Sequence, residues 1–442
     1  MRAFWMLVVL AGCGSVMQPV DAGPELFLPE HQSPVFEKGL VLAYDSLPCT
    51  PIGGVPQNDC NHHGSSVAEL GDSTIAIAWF HGVAEKSLDS RIVWAKRAPG
   101  AQIFSTPEVL YDDPTRSEGN SVLWREKGTL WLFFVNIEGN GWAQARMRFM
   151  RSIDDGATWT PPVTLSDSDC WMLRYPPVRA PSGNLVLPGY YECLAVPTFV
   201  RSSNDFSTWS LVETWKDGTF LLDHVGSIQP SMIVTTDGGL AAVMRDGTSR
   251  QRLQRMESGD EGRTWTKNVS TGLPNPGAAT AQTRLKDGHV VVVFDNAPNA
   301  RAPLSAALST DDGRHFVAVR DLVIDDCATD ECSYPYVVQS ERDGTIWVAY
   351  THNRRTIGWV HFNEAWLAQG GGEARVWCQA DEACVGSRCF PACGGDAGVT
   401  CTGGASCVSG ACRVSCTAGC ATGETCDADG YCRPSVTHAC GW

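Results

Sequence analysis

This 442-residue chain is short of positive charge, with 34 Lys and Arg against 49 Asp and Glu and a formal net charge of −15. Such a surface repels phosphate backbones, and no Lys/Arg run offsets it, so nucleic acid is excluded as a partner. The apolar run at the N-terminus, ending in Leu10-Ala11, is too short to cross a bilayer as a helix. Large apolar side chains are nearly missing from the C-terminal end, where Gly, Ala, Ser and Asp fill the spaces between cysteines. Only disulfides could hold such a segment together. It also lacks C-x2-C spacing and any EF-hand pattern. Zinc is therefore the weaker reading of these cysteines, and nothing in the chain calls for a metal or a cofactor.

Cysteine is abundant, at 19 residues. Met1-Arg-Ala-Phe-Trp-Met-Leu-Val-Val-Leu-Ala-Gly-Cys13 has a basic start, a short apolar core and a terminal cysteine. It resembles a bacterial lipoprotein signal, which implies export, lipidation at Cys13 and a membrane contact through the lipid anchor alone. Eighteen cysteines remain, an even number suited to an oxidising compartment. Six form close sequence pairs, Cys49/Cys60, Cys170/Cys193 and Cys327/Cys332, and twelve crowd into 378–440 with a C-x5-C-x4-C-x3-C spacing given twice and a looser third set. The expected organisation is a signal over 1–13, a tether over 14–35, a main domain over 36–368, a Gly-rich linker over 369–377 and a cysteine-rich module over 378–442.

The main domain carries a repeat. Ser152-Ile-Asp-Asp-Gly-Ala-Thr-Trp159 returns as Ser258-Gly-Asp-Glu-Gly-Arg-Thr-Trp265, less well as Ser309-Thr-Asp-Asp-Gly-Arg-His-Phe316, and poorly as Ser202-Ser-Asn-Asp-Phe-Ser-Thr-Trp209. The Asp can accept backbone N–H groups across a tight turn, Gly supplies a positive φ, and Trp packs into the neighbouring unit. One strand-dense unit per fifty or so residues is the mark of a propeller blade. Arg91–Arg97 with Gly100 and Phe104 reads as a degenerate first copy, and 345–350 with 356–362 as the last blade. The expected fold is all-β, a six-bladed propeller over 36–368 whose ring is closed by the segment starting at Phe36.

The repeat resembles the Asp box of sialidases and related proteins. First strands of blades line the central channel, which points to His63, Asn120, Arg174 with Tyr175, Gln229 ahead of Arg245, and Tyr334 as pocket residues. The sialidase resemblance implies roles for some of them. His63 stands where the family has the first clamp arginine, Asp89 matches the acid/base, Arg245 and Arg301 match the other two carboxylate-binding arginines, and Tyr334 matches the nucleophile. Gln229 and Thr351 replace the glutamates that assist that tyrosine, with Glu331 and Glu192 as substitutes to be placed.

Three readings follow. In the first, an exported glycoside hydrolase acts on an acidic glycan containing sialic or uronic acid. In the second, a glycan-binding propeller keeps the cleft without the chemistry. In the third, a polysaccharide lyase uses His63, His81 and Tyr334, because a histidine near neutral pKa can remove a proton α to a carboxylate. All three take an acidic carbohydrate as partner.

Overall fold

A computed structural model describes residues 32–369, apart from 44–46, 48–59, 140, 249, 325–326 and 328–330, together with short hairpins and a few neighbouring positions between 382 and 434. Among the described residues six antiparallel sheets follow one another as blades, as the repeat spacing predicts. Blade one comprises Asn61–Glu69, Ile75–Gly82, Arg91–Arg97 and Glu108–Tyr111, and blade two Ser117–Glu126, Thr129–Ile137, Ala145–Ser152 and Val163–Thr164. In blade three the inner strand is broken into Trp171–Leu173 and Val178–Arg179, followed by Leu185–Tyr191, Val196–Ser202 and Trp209–Val212. Blade four is Ser227–Val234, Leu240–Asp246, Arg252–Ser258 and Val269–Pro274, and blade five Ala281–Arg284, Val290–Asp295, Leu304–Ser309 and Ala318–Val323.

Blade six takes Cys332–Gln339, Ile346–His352 and Thr356–Phe362 from the end of the domain and Phe36–Leu40 from its beginning. Phe36 pairs with Phe362 and Leu40 with Gly358, so the first strand closes the last blade and its edge is covered. The inner strands of blades six and one also pack together.

The second strands are buried along nearly their whole length because blades cover them on both faces. Val290-Val-Val-Val-Phe-Asp295 is an example, β-branched and aromatic throughout. Burying each such side chain contributes roughly 1.5–3 kcal/mol, and Trp79, Phe133, Phe199 and Phe294 are among the largest fully enclosed. Between blades two and three, Trp131, Phe133, Phe149 and Phe206 form one aromatic cluster with ring centroids 5.2–5.9 Å apart.

The box turns join third to fourth strands. Ser152 Oγ–H donates to Asp154 Oδ1 at 2.7 Å, while Asp154 accepts from the Thr158 N–H at 2.8 Å and the Thr158 hydroxyl at 2.7 Å. Asp260 repeats these bonds with Ser258 and Thr264, and Asp311 with Ser309 and His315. Gly156 and Gly262 adopt the positive φ that the turn requires. As expected, Trp159 packs on Trp94 of the preceding blade and Trp265 stacks on Phe199 of its own predecessor.

Disulfides join Cys170 to Cys193 and Cys327 to Cys332. Cys13 and Cys49 lie outside the described residues. In the cysteine-rich segment the backbone forms three hairpins, which set Cys384 opposite Cys389, Cys407 opposite Cys412 and Cys426 opposite Cys432.

Candidate functional site

Two backbone devices build the pocket at the channel end away from the box turns. The first is a bulge near the start of the inner strands. Pairing slips between His63 and Ser66, Gly119 and Val122, Ile228 and Ser231, and Ser333 and Tyr336. Within each slip one residue takes a left-handed backbone: Gly64, Asn120, Gln229 and Tyr334, with φ of 65°, 49°, 57° and 56°. A non-glycine residue held there costs about 1–3 kcal/mol, and a bulge re-aims its side chain.

The second device is register. In each second strand one residue faces the box serine or its counterpart: Ile75, Leu130, Leu185, Leu240, Val290 and Ile346. Counting five further gives Phe80, Val135, Tyr190, Arg245, Asp295 and Thr351, equivalent positions around the channel. Several of them meet the bulged residues. Arg245 Nη1–H donates to the Tyr334 hydroxyl oxygen at 2.8 Å and to Gln229 Oε1 at 3.3 Å. The Tyr190 hydroxyl accepts from Asn120 Nδ2 at 3.2 Å and Gln229 Nε2 at 3.5 Å. Thr351 Oγ1 bonds His63 Nδ1 at 2.8 Å and accepts from the Gly64 N–H.

Around Tyr334 the charges are mixed. Arg301 lies 5.4 Å from its ring centre and binds Glu331 Oε2 at 2.7 Å. Arg354, from the turn before the last strand of the domain, forms an ion pair through Nε with Glu331 Oε1 at 2.8 Å and also pairs with Glu85. Arg174 is fully buried in the break of blade three and donates to the carbonyl oxygens of Ser65 and Tyr334, both at 2.8 Å, which ties blades one, three and six together. His63 packs on Tyr334 with ring centroids 4.2 Å apart. Burial, reinforced by Arg354, Arg174, Arg301 and Arg245, holds its imidazole well below the usual histidine range, so it is neutral at pH 7. Burial has the opposite effect on Asp295, lifting its carboxyl well above the usual range despite Arg301 and Arg245 nearby.

The structure thus brings His63, Arg174, Gln229, Arg245, Arg301 and Tyr334 together. Asp89 is occupied elsewhere. Its carboxylate accepts from the Val83 N–H at 3.1 Å and the Ser87 hydroxyl at 2.6 Å, closing the loop that carries Glu85 to His63. His81 pairs with His62 across the ladder, on the opposite face from His63, with ring centroids 4.4 Å apart. No carboxylate among the described residues hydrogen-bonds the Tyr334 hydroxyl. Of the two substitutes considered, Glu331 is bound by arginines, and Glu192 stands near Arg245 with its carboxyl raised chiefly by burial. Glu85, Arg354, Tyr190 and Asp295 were not anticipated as pocket residues; register counted from the box serine would have found the last two.

The BNR repeat-like domain family matches residues 73–348. No curated protein matches the chain. Several solved structures share the fold. A protein of unknown function from Dyadobacter fermentans is 15% identical with a TM-score of 0.58, over 72% of this chain and 97% of that one. The intramolecular trans-sialidase from Ruminococcus gnavus, solved with oseltamivir carboxylate, is 13% identical with a TM-score of 0.55, over 70% of this chain and 95% of that one. Trypanosoma rangeli sialidase, solved with the inhibitor DANA, is 11% identical with a TM-score of 0.58, over 76% of this chain and 60% of that one. At such identities the likeness concerns the fold.

Proposed function

From the premise that this chain belongs to the BNR repeat-like domain family and folds as a sialidase-like propeller, we propose that it is an exported glycoside hydrolase acting on an acidic glycan. The lipoprotein-like N-terminus supports attachment to a bacterial membrane through Cys13. The observation that carries the reading is the 2.8 Å bond from Arg245 to the Tyr334 hydroxyl, because it joins an anion-binding group and a nucleophile candidate at one point. In this reading Arg245, Arg301 and Arg354 hold the sugar carboxylate by charge-assisted hydrogen bonds. Tyr334 attacks the anomeric carbon, releasing its hydroxyl proton to solvent, as the glycosidic bond breaks and Asp89, once its loop turns inward, protonates the departing oxygen. Water, giving its proton to the Asp89 carboxylate, then attacks the same carbon, breaks the tyrosyl–sugar bond, and Tyr334 is reprotonated from solvent. The Arg245 guanidinium favours negative charge developing on the tyrosyl oxygen.

A second reading, recognition of an acidic glycan without turnover, is favoured by a specific observation. The Tyr334 hydroxyl proton has no carboxylate beside it to receive it, since Gln229 and Thr351 stand where acids are expected. The lyase reading is weaker because His81 faces away from His63 and Tyr334.

Calorimetry with DANA and mass spectrometry of acidic-glycan digests decide among these. Arg245→Ala should weaken DANA binding about tenfold or more, the loss expected for a charge-assisted bond. Tyr334→Phe should leave affinity nearly unchanged and eliminate product. Binding without product in the wild type selects the recognition protein, and an unsaturated uronate product selects the lyase. Affinity indifferent to Arg245 overturns the carboxylate clamp.

A further inference from the structure

Far from Tyr334, at the opposite end of blade five, the turn Asp287-Gly-His289 meets the short helix Glu364–Ala368 that follows the last blade strand. Gly288, at φ 94°, makes the turn tight enough to place Asp287 and His289 side by side. The His289 N–H donates to Asp287 Oδ1 at 2.9 Å. His289 Nδ1 then lies 2.5 Å from Glu364 Oε1 and 3.4 Å from Asp287 Oδ2. The Asp287 side chain is only 1% exposed, and its Oδ2, turned toward the imidazole, has no hydrogen-bond partner. A buried carboxylate oxygen left this way is costly and calls for a cation.

We propose that Asp287, His289 and Glu364 form a divalent-metal site that clamps this helix to blade five. One ligand atom from each of the three residues lies within 4.8 Å of the others, a spread that a single ion can span with small adjustments at bond lengths of about 2.0–2.4 Å. One imidazole nitrogen and two carboxylates, with water in a fourth position, match zinc or manganese better than calcium, which prefers oxygen alone. Binding displaces the proton between His289 and Glu364 to solvent and neutralises two buried carboxylates.

The place of the site suggests its use. Asn363, the cap of this helix, accepts the Val35 N–H and donates to the Ser33 carbonyl, and Trp366 stacks on Phe36 at 4.3 Å. The helix therefore lies over the strand that closes the ring. A metal at its first residue joins that latch to the neighbouring blade.

The test uses the full chain with its disulfides intact and Zn2+ as the probe. One tight zinc equivalent and a zinc-dependent rise in Tm are expected, both lost in D287N and H289Q, with affinity lowered roughly tenfold or more because even outer partners of metal ligands cost 10–100-fold. DANA binding by these variants should match that of the wild type. If a variant fails to fold, as judged by circular dichroism, Co2+ added to the wild type still decides. A visible spectrum of nitrogen and oxygen ligation supports the site, and a thiolate charge-transfer band assigns the metal to cysteines instead. No zinc binding, no rise in Tm, or a zinc response unchanged in both variants overturns the proposal.

Discussion

At the box end of the propeller, Asp154, Asp260 and Asp311 make the same bonds in three different blades. At the pocket end, the equivalent position of successive blades holds Phe80, Val135, Tyr190, Arg245, Asp295 and Thr351, six different side chains. The chain repeats itself where strands must turn and diverges where they face the channel. A turn is a local problem with one good solution, whereas a pocket needs unlike groups at like positions. Disturbing the box end should therefore change stability alone, and disturbing the pocket end should change stability and ligand binding separately.

The largest expected effect is at Glu331→Gln. Glu331 compensates Arg301 and Arg354, and its side chain is 10% exposed against 26% and 36% for theirs. Breaking a fully buried pair costs roughly 3–5 kcal/mol, so with arginines this open the expected loss is about 1–3 kcal/mol. The same change frees two guanidiniums for an anionic ligand. DANA affinity should rise while Tm falls, and parallel calorimetry and thermal unfolding would show it. A loss of both would mean that Glu331 positions the clamp rather than competing for it.

Asp260→Ala comes next. It removes the acceptor for the Ser258 hydroxyl and for the Thr264 N–H and hydroxyl, at a net cost of about 1 kcal/mol in so exposed a turn. Denaturant unfolding should register the loss, and DANA affinity should not move. A change in affinity would break the separation between the two ends.

That separation also explains what the sequence discloses. The box bonds lie within eight residues, so Ser258, Asp260 and Thr264 announce their turn, and four turns at nearly constant spacing announce the blades. Closure by the segment starting at Phe36 was readable because a strand-like stretch was left over. The pocket was partly readable: His63, Gln229 and Tyr334 meet because inner strands start there, and Arg174 joins them from the break of blade three, while Arg245 near the end of a second strand and Arg301 in the loop after another were legible through the family resemblance. Arg354 escaped because it reaches Glu331 from a turn, and Glu85 because its loop resembles any solvated acidic loop. Asp89 shows the converse, a residue at a suggestive spacing whose carboxylate closes its own loop through Val83 and Ser87.

The smallest effect separates the two ends by pH. Burial, helped by His81, lowers His62 to about 3, and Trp79 Nε1–H donates to its Nδ1 at 2.9 Å. The unfolded chain binds a proton there near pH 6.5 and the folded chain does not, so this histidine's contribution is intact above the unfolded pKa. It is lost progressively as pH falls from about 6.5 toward the folded value. Between pH 7 and pH 6 the loss is about 0.7 kcal/mol. The box carboxylates are shifted in the same direction but in a lower window, their pKa values lowered by hydrogen bonds from neighbouring Ser, Thr and His residues, so their contribution begins to fail only as pH falls into the ordinary carboxylate range. His62→Gln can still accept the Trp79 N–H. Comparing its unfolding free energy with that of the wild type cancels other groups titrating in this window, chiefly Glu118, whose carboxyl burial raises to about 9. The wild type should lose about 0.7 kcal/mol more than His62→Gln between pH 7 and pH 6 and go on losing more until the pH passes the folded value of about 3; only well below that should the two run parallel. Equal slopes from pH 7 to 6 would mean that His62 is charged when folded, and the neutral imidazole pairing with Trp79 would have to be abandoned.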